Sequence, residues 1–247
     1  MGRCAHMKTT SRPRKLAALL LALFGSQLAM ASTASAAGGG LLGTGLFAPP
    51  PAPRPAAPAA AAEPVRPSVN DVEHKLASLA YDVGPLDGKA DAQTSSAVLA
   101  FQKVHGMDRT GELTDALATQ IMTSSGFPAP MVPNGEPNRV EVSLARQVLF
   151  LYEGGNLTKI LAVATGTSAT PTPTGTFRFN RFDPGWHTSR LGRLYNAEYF
   201  VGGYAIHGSL SVPATPASHG CIRISMYSAE WFPSHVHRGM QVVVIAG

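Results

Sequence analysis

The sequence predicts a multidomain protein in which a small three-helix domain precedes a mostly β domain. Apolar residues recur at helical spacing within residues 68–124, and the spacing changes to the alternation typical of β-strands from residue 138 onward. Proline-rich segments at 38–67 and 125–137 flank the helical region and are typical of linkers. With 247 residues, the chain is long enough to form two cores.

Residues 1–37 have the composition of a secretory signal peptide. Five basic residues precede an apolar run at 16–23, and small-residue cleavage sites follow at 29–31 and 34–36. The apolar run is shorter than the ~20 residues that span a bilayer, so we expect cleavage and no stable membrane insertion afterwards. Removing this segment balances the formal net charge of +5, because the rest carries 15 basic and 15 acidic residues. We expect an exported protein of the periplasm or cell wall.

Cys221 is the one cysteine expected in the exported chain, because Cys4 lies in the predicted signal peptide. The mature protein therefore cannot form an internal disulfide. An unpaired cysteine in an oxidising compartment forms an intermolecular disulfide, packs as a small hydrophobe or acts as a nucleophile.

Residues 38–67 are rich in Gly, Ala and Pro, and we interpret them as a disordered, extended spacer. The first helix is expected to begin at Ser68, which forms a capping-box pattern with Asp71. Apolar spacing predicts further helices at about 92–104 and 114–122. The domain at 68–124 would thus be close to the lower size limit for independent folding.

Residues 69–122 resemble the peptidoglycan-binding domain found on many wall enzymes. The matching positions are the run Leu-Ala-Tyr-Asp-Val-Gly-Pro-Leu-Asp-Gly at 79–88, together with Thr94, Ala97, Val98, Phe101, Gln102 and Gly106. Residues 89–91 depart from the aromatic and glycine that often follow in that family. The resemblance implies that this domain binds peptidoglycan. The alternative is a helical bundle that packs on its neighbour and binds no ligand.

Alternation predicts strands at 139–143, 147–152 and 159–164, and others near 175–179, 204–207 and 240–245. An arginine-rich segment at 178–193 is interpreted as a loop over a functional site, where Trp186 could stack on substrate, or as a solvated charged loop. No basic helix is predicted, which argues against nucleic acid as a partner.

Cys221 lies in the run Ser-His-Gly-Cys-Ile-Arg at 218–223. A cysteine attacks as its thiolate and needs a base or a cation nearby. His207, at the end of a predicted strand, and His219 are both candidates for that base. A short helix at 225–232 would favour the anion through its N-terminus. Gly220 leaves room for an acyl carbonyl beside the backbone N–H groups of residues 220 and 221, which could form an oxyanion hole.

Zinc is the alternative chemistry, with His207, His219 and Cys221 as ligands and His235 and His237 as a second histidine pair. The spacing matches no common zinc motif. We therefore predict no metal and no cofactor, and we interpret His235 and His237 as surface residues.

Residues 138–247 resemble the L,D-transpeptidase catalytic domain. Its signature is a His-Gly strand end, a loop, and Ser-His-Gly-Cys followed by a hydrophobic residue and Arg or Asn, found here at 207–208, 209–217 and 218–223. The run Thr-Pro-Thr-Gly at 172–175 matches a turn common in these domains. The resemblance implies that Cys221 is the nucleophile, His207 the general base and acid, and Gly220 an oxyanion donor together with Cys221, while His219 shapes the acyl pocket.

The resemblance also implies substrate contacts. Arg223 would hold a substrate carboxylate, with Ser218 and Gly208 beside the bound peptide. Some members have Ser at the position of Gly208, so a backbone carbonyl is expected to orient His207 in place of a hydroxyl.

The implied substrate is peptidoglycan. A stem tetrapeptide would acylate the thiol and release D-alanine, and the side-chain amine of a neighbouring stem would accept the acyl group. Water or a wall protein are alternative acceptors, and a wall-binding protein with a degenerate domain is the alternative without catalysis. Carbapenem β-lactams are expected inhibitors.

Overall fold

The structure is a computed structural model that describes residues 66–247. The predicted signal peptide and nearly all of the predicted spacer lie outside the described residues. In the described part, no helix is long and apolar enough to cross a membrane.

Three helices occupy the region where the sequence predicts them: α1 is Val69–Ser78, α2 is Ala92–Val104 and α3 is Asp115–Thr123. Each begins at a side chain that accepts hydrogen bonds from the first free N–H groups of the helix. Ser68 caps α1 and forms the expected capping box with Asp71, Asp91 caps α2, and Thr114 caps α3.

Nine strands and a fourth helix follow within the described residues: β1 Arg139–Ser143, β2 Val148–Glu153, β3 Asn156–Ala162, β4 Gly175–Arg178, β5 Arg181–Ser189, β6 Gly192–Val201, β7 Tyr204–Gly208, β8 Ile222–Ile224, α4 Met226–His235 and β9 Gln241–Ile245. They form a five-stranded sheet in the order β3-β2-β1-β9-β4 and a four-stranded sheet in the order β5-β6-β7-β8. The mostly β character predicted from the sequence is confirmed.

The segment at 178–193 is not a loop, and that expectation was wrong. Most of it belongs to β5 and β6, which pair as an antiparallel hairpin. Both strands carry many polar residues because much of β5 and the start of β6 are solvent-exposed, so the alternation that marks a half-buried strand is weak there.

The core of the protein is shared between the helices and the sheets. Strand β2 is buried on both faces: Val148, Phe150 and Tyr152 pack against the helices, whereas Leu149 and Leu151 pack toward the second sheet. Burying such a side chain stabilises the fold by about 1.5–3 kcal/mol. The helical region and the β region therefore fold as one compact unit, although sequence composition separates them at 125–137.

Lys103 illustrates how closely the two regions join. Its side chain is buried, and Nζ donates a hydrogen bond of 2.9 Å to the carbonyl oxygen of Val163. Burial lowers the pKa of this amine to about 7.

Candidate active site

Strands β7 and β8 position the functional side chains. They pair in parallel with His207 opposite Arg223 and Ile206 opposite Ile222. Cys221 immediately precedes β8 and, by alternation along the chain, lies on the same face of the sheet as Arg223 and His207. The end of β7 and the turn that carries Cys221, which a loop separates in the sequence, are thus brought to one surface.

That surface forms the floor of a cavity of about 470 Å³. The predicted residues Cys221, His207, His219, Ser218 and Arg223 all line it. The other lining residues come mainly from the β5–β6 hairpin and from β7: Ser189, Arg190, Leu191, Gly192, Arg193, Leu194, Tyr199, Gly203, Tyr204 and Ser209. No Asp or Glu lines this cavity in the described chain, so three arginines make it electropositive.

His207 is buried, with 5% of its surface exposed. Its Nδ1 donates a 2.8 Å hydrogen bond to the carbonyl oxygen of Gly208, which leaves the lone pair on Nε2. Burial lowers the pKa of the imidazole, and the charge of Arg223 lowers it further, against the opposing effect of the bond to Gly208. The ring is therefore held in its neutral form, with Nε2 free to accept a proton.

Gly208 has no space for a side chain. A Cβ at this position would lie 2.6 Å from Cβ of Ala229 and 3.3 Å from Sδ of Met226, both on α4, and 3.3 Å from Cβ of Tyr195. Serine does not fit here, and the backbone carbonyl takes over the orientation of His207.

Cys221 is a free, half-buried cysteine. Burial raises the pKa of its thiol, while the backbone of Ala205 and the charge of Arg223 oppose that rise. The net direction is upward, and a stabilising effect of the N-terminus of α4 on the thiolate stays a prediction. The resting pair is a neutral thiol and a neutral imidazole.

Ser218 organises the turn that carries the thiol. Its Oγ donates to the carbonyl oxygen of Cys221 and accepts a 3.0 Å hydrogen bond from the N–H of Gly220. The N–H of Gly220 is thus occupied, which corrects the expectation that it points at an oxyanion. The N–H of Cys221 is the remaining candidate of the predicted pair.

Gly220 is needed for a different reason. Its φ is +111°, and a Cβ would lie 2.4 Å from Cε1 of Tyr204. Its carbonyl oxygen accepts a 2.8 Å hydrogen bond from Oγ1 of Thr172, which also accepts from the N–H of Gly166. Sequence reasoning noted the turn at 172–175 only as a family match and missed that Thr172 and Tyr204 support the cysteine turn.

Trp186 is not among the residues that line the cavity. It lies on β5 with its ring 5.1 Å from that of Tyr195, and the guanidinium of Arg193 lies 4.1 Å above it. Arg193 and Arg190, at the tip of the hairpin, reach the cavity instead. A contact between Trp186 and substrate stays a prediction.

Among residues 66–247, no group of three or more His, Cys, Asp or Glu side chains is arranged to hold a metal ion. His235 and His237 are exposed, and Nδ1 of His235 lies 3.0 Å from Oε1 of Glu153.

Comparison with known proteins gives two family matches. Residues 137–245 match the family described as "L,D-transpeptidase catalytic domain". Residues 65–121 match the family described as "Putative peptidoglycan binding domain".

Three proteins illustrate the similarity. A crystal structure of the L,D-transpeptidase from Xylanimonas cellulosilytica is 30% identical, with a TM-score of 0.67 over 74% of this chain and 98% of that one. A second, from Stackebrandtia nassauensis, is 25% identical, with a TM-score of 0.47 over 72% of this chain and 91% of that one. The Bacillus subtilis protein named "Putative L,D-transpeptidase YciB" is 29% identical over 126 residues, which span 42% of this chain and 64% of that relative's length.

Proposed function

The chain belongs to the L,D-transpeptidase family, and from that membership we propose that it is an exported enzyme that cross-links or remodels peptidoglycan through a thioester on Cys221. The observation that carries the proposal is that a free thiol and a neutral, oriented imidazole, His207, line one cavity. This pair is the requirement for a base-activated thiol nucleophile.

In the first half-reaction, sulfur attacks the carbonyl carbon of the third residue of a stem tetrapeptide, and Nε2 of His207 takes the thiol proton. The N–H of Cys221 is the proposed donor to the oxyanion of the tetrahedral intermediate. His207 then gives its proton to the departing amine, so that D-alanine leaves and a thioester forms.

In the second half-reaction, the side-chain amine of a neighbouring stem attacks the thioester. His207 accepts the proton from the attacking nitrogen and returns it to sulfur as the carbon–sulfur bond breaks. The exchange replaces one amide with another, so it needs no nucleotide, and covalent catalysis divides it into two easier steps.

The charge of the cavity supports a substrate that carries carboxylates. Arg190, Arg193 and Arg223 line it without a lining acid in the described chain, and guanidinium groups bind carboxylates through paired, charge-assisted hydrogen bonds. A carbapenem carries both a carboxylate and a strained carbonyl, so we propose that this class of β-lactam acylates the same thiol.

Incubation of the purified protein with a disaccharide-tetrapeptide, followed by mass analysis of the products, tests the function. A cross-linked dimer is expected, with one D-alanine released per bond formed. Tripeptide alone would identify water as the acceptor, and an absence of any product from folded protein would contradict the proposal.

We also propose that the helical region holds the enzyme on the cell wall, on the basis of its match to the peptidoglycan-binding family. The Cys221→Ala chain, which cannot turn over substrate, is expected to pellet with insoluble wall sacculi even when excess soluble tetrapeptide occupies the catalytic cavity, and release of the chain by that peptide would contradict the role. Deletion of the helices is a poor test, because it would expose the apolar face formed by Val148 and Phe150.

A further inference from the structure

Asp82 is a buried carboxylate that joins the helical region to α4. Only 3% of its surface is exposed. Its Oδ2 accepts hydrogen bonds from two α4 side chains: Oγ of Ser228 at 2.7 Å and Nε1 of Trp231 at 3.2 Å. On the other side, Nζ of Lys159 lies 3.6 Å from Oδ1. A carboxylate so far from water persists only where donors replace its hydration.

Gln93, on α2, forms a second contact with the same helix. Its Nε2 donates to the backbone carbonyl oxygen of Asp82 at 2.7 Å, and its Oε1 accepts a 2.8 Å hydrogen bond from Oγ of Ser225, the residue that caps α4. The helical region therefore holds the first two turns of α4 through side chains of both partners.

The opposite side of α4 lies against the catalytic strands. Ala229 and Met226 pack on Gly208 so closely that no Cβ fits between them. The carbonyl oxygen of Ala229 also accepts a 2.9 Å hydrogen bond from Nδ2 of Asn196 on β6. A displacement of α4 toward β7 would therefore push on the backbone of Gly208, whose carbonyl oxygen orients His207.

We propose that Asp82 is a positioning residue for His207, acting through α4 and the carbonyl of Gly208. The inference rests on the proposed function, in which His207 is the base. Replacing Asp82 with alanine leaves the indole N–H of Trp231 without its buried acceptor, and it leaves the hydroxyl of Ser228 with Oγ of Ser225, 2.8 Å away, in place of a carboxylate. The helix shifts to find other partners, and the imidazole loses the fixed direction that proton transfer needs.

The test compares Asp82→Ala with Asp82→Asn, because the amide oxygen of asparagine can still accept from Ser228 and Trp231. We expect Asp82→Ala to lower kcat on a soluble tetrapeptide by ~10- to 10²-fold with KM changed less than ~3-fold, since misplacement of a catalytic group by about 1 Å costs up to that much. Asp82→Asn is expected to restore most of kcat.

Arg109→Ala provides the matched control. Arg109 also joins the helical region to the β region, but its 2.9 Å hydrogen bond runs from Nη2 to the carbonyl oxygen of Ala145, between β1 and β2, and not to α4. It is expected to leave kcat within ~2-fold of wild type. Equal losses of kcat in Arg109→Ala and Asp82→Ala would show that the effect is general destabilisation, and they would overturn the proposal.

The pH profile of Cys221 alkylation by iodoacetamide is the second readout, and it needs no turnover. Asp82→Ala is expected to shift this profile relative to wild type, because the thiol titrates beside His207. If Asp82→Ala has the same alkylation profile and the same kcat as wild type, the positioning role is overturned. If the wild-type protein itself shows no turnover, only the proposed function is overturned. If Asp82→Ala fails to fold, Ser228→Ala removes the same contact from the α4 side, and wild-type kcat and alkylation in that variant would likewise overturn the role.

Discussion

His207 donates its Nδ1 hydrogen bond to the carbonyl oxygen of the next residue, Gly208, at 2.8 Å. A bond between neighbours in one strand fixes both the tautomer and the plane of the ring before any substrate arrives. The backbone at Gly208 is in turn confined by Ala229 and Met226 of α4. The position of one helix therefore determines the direction of the base.

Gly208→Ala is expected to lower kcat by up to ~10²-fold, because the new Cβ would lie 2.6 Å from Cβ of Ala229 and push the carbonyl away from His207. Turnover of soluble tetrapeptide measures the effect. The double variant Gly208→Ala with Ala229→Gly removes the nearest clash and should recover part of the loss. A wild-type kcat in Gly208→Ala would show that the structure accommodates the new Cβ without moving the carbonyl oxygen that orients His207.

Cys221→Ser should reduce turnover to background while circular dichroism and thermal unfolding stay close to wild type, since a hydroxyl is a much weaker nucleophile. Product mass analysis provides the measurement. Wild-type turnover by this variant would remove the thioester from the mechanism. Loss of wild-type activity on adding a chelator would favour metal chemistry.

The pH dependence of kcat/KM should report His207. Burial lowers the pKa of this imidazole below the ordinary 6.5, so the neutral base persists and activity should fall only as the pH drops below about 6.5. Arg223 lowers the pKa of both His207 and Cys221. Arg223→Ala should therefore move the acidic limb of the profile to higher pH.

His219→Ala is the matched control, because His219 also lines the cavity. The acidic limb of the kcat/KM profile of His219→Ala should stay at the wild-type pH. His207→Ala, by contrast, should lose ~10²- to 10⁴-fold in rate. The reverse pattern would make His219 the base.

A carbapenem should add one intact drug mass to each chain and none to Cys221→Ala, because the opened ring stays attached to the carbonyl and blocks the acceptor. Arg223→Ala should slow acylation by about 10- to 10²-fold, as expected for the loss of one charge-assisted hydrogen bond worth about 1.5–3 kcal/mol. Intact-protein mass spectrometry over time measures both. An adduct on Cys221→Ala would place the reaction at another residue.

Lys103 should make the stability of the fold depend on pH. Its pKa is about 7 in the folded chain against an ordinary value of 10.5, so between these values the unfolded chain binds more protons and stability rises with pH. The full shift corresponds to at most about 4–5 kcal/mol. Thermal unfolding of wild type should thus improve from pH 7 toward pH 10.

Lys103→Met should flatten that dependence, since methionine fills a similar volume without a charge. The unfolding midpoint of the variant is compared with that of wild type at each pH, so that the contributions of the other titrating groups to stability cancel. A wild-type slope that persists in the variant would assign the dependence to a different group.

Local patterns were sufficient for much of the fold. The capping box of Ser68 and Asp71 depends on residues three positions apart, and the apolar runs and alternation that predict β1 to β3 depend on neighbouring residues alone. The hairpin β5–β6 escaped prediction because β5 and the start of β6 are exposed and lack a regular apolar alternation. The shared core escaped as well, because a run such as β2, apolar at nearly every position, does not reveal what covers each face.

The sequence by itself determined the order of the regions, the predicted helices and most strands, and the chemical character of the cysteine motif, because these follow from residue types at short range. Only the tertiary structure decided that Cys221 and His207 are neutral, that the N–H of Gly220 already donates a hydrogen bond within the protein, and that the carbonyl oxygen of Gly208 orients His207. The protonation of Cys221 and His207 depends on burial, and the link from Asp82 to His207 depends on contacts between segments more than 100 residues apart. Such contacts arise from packing in three dimensions, which no local pattern encodes.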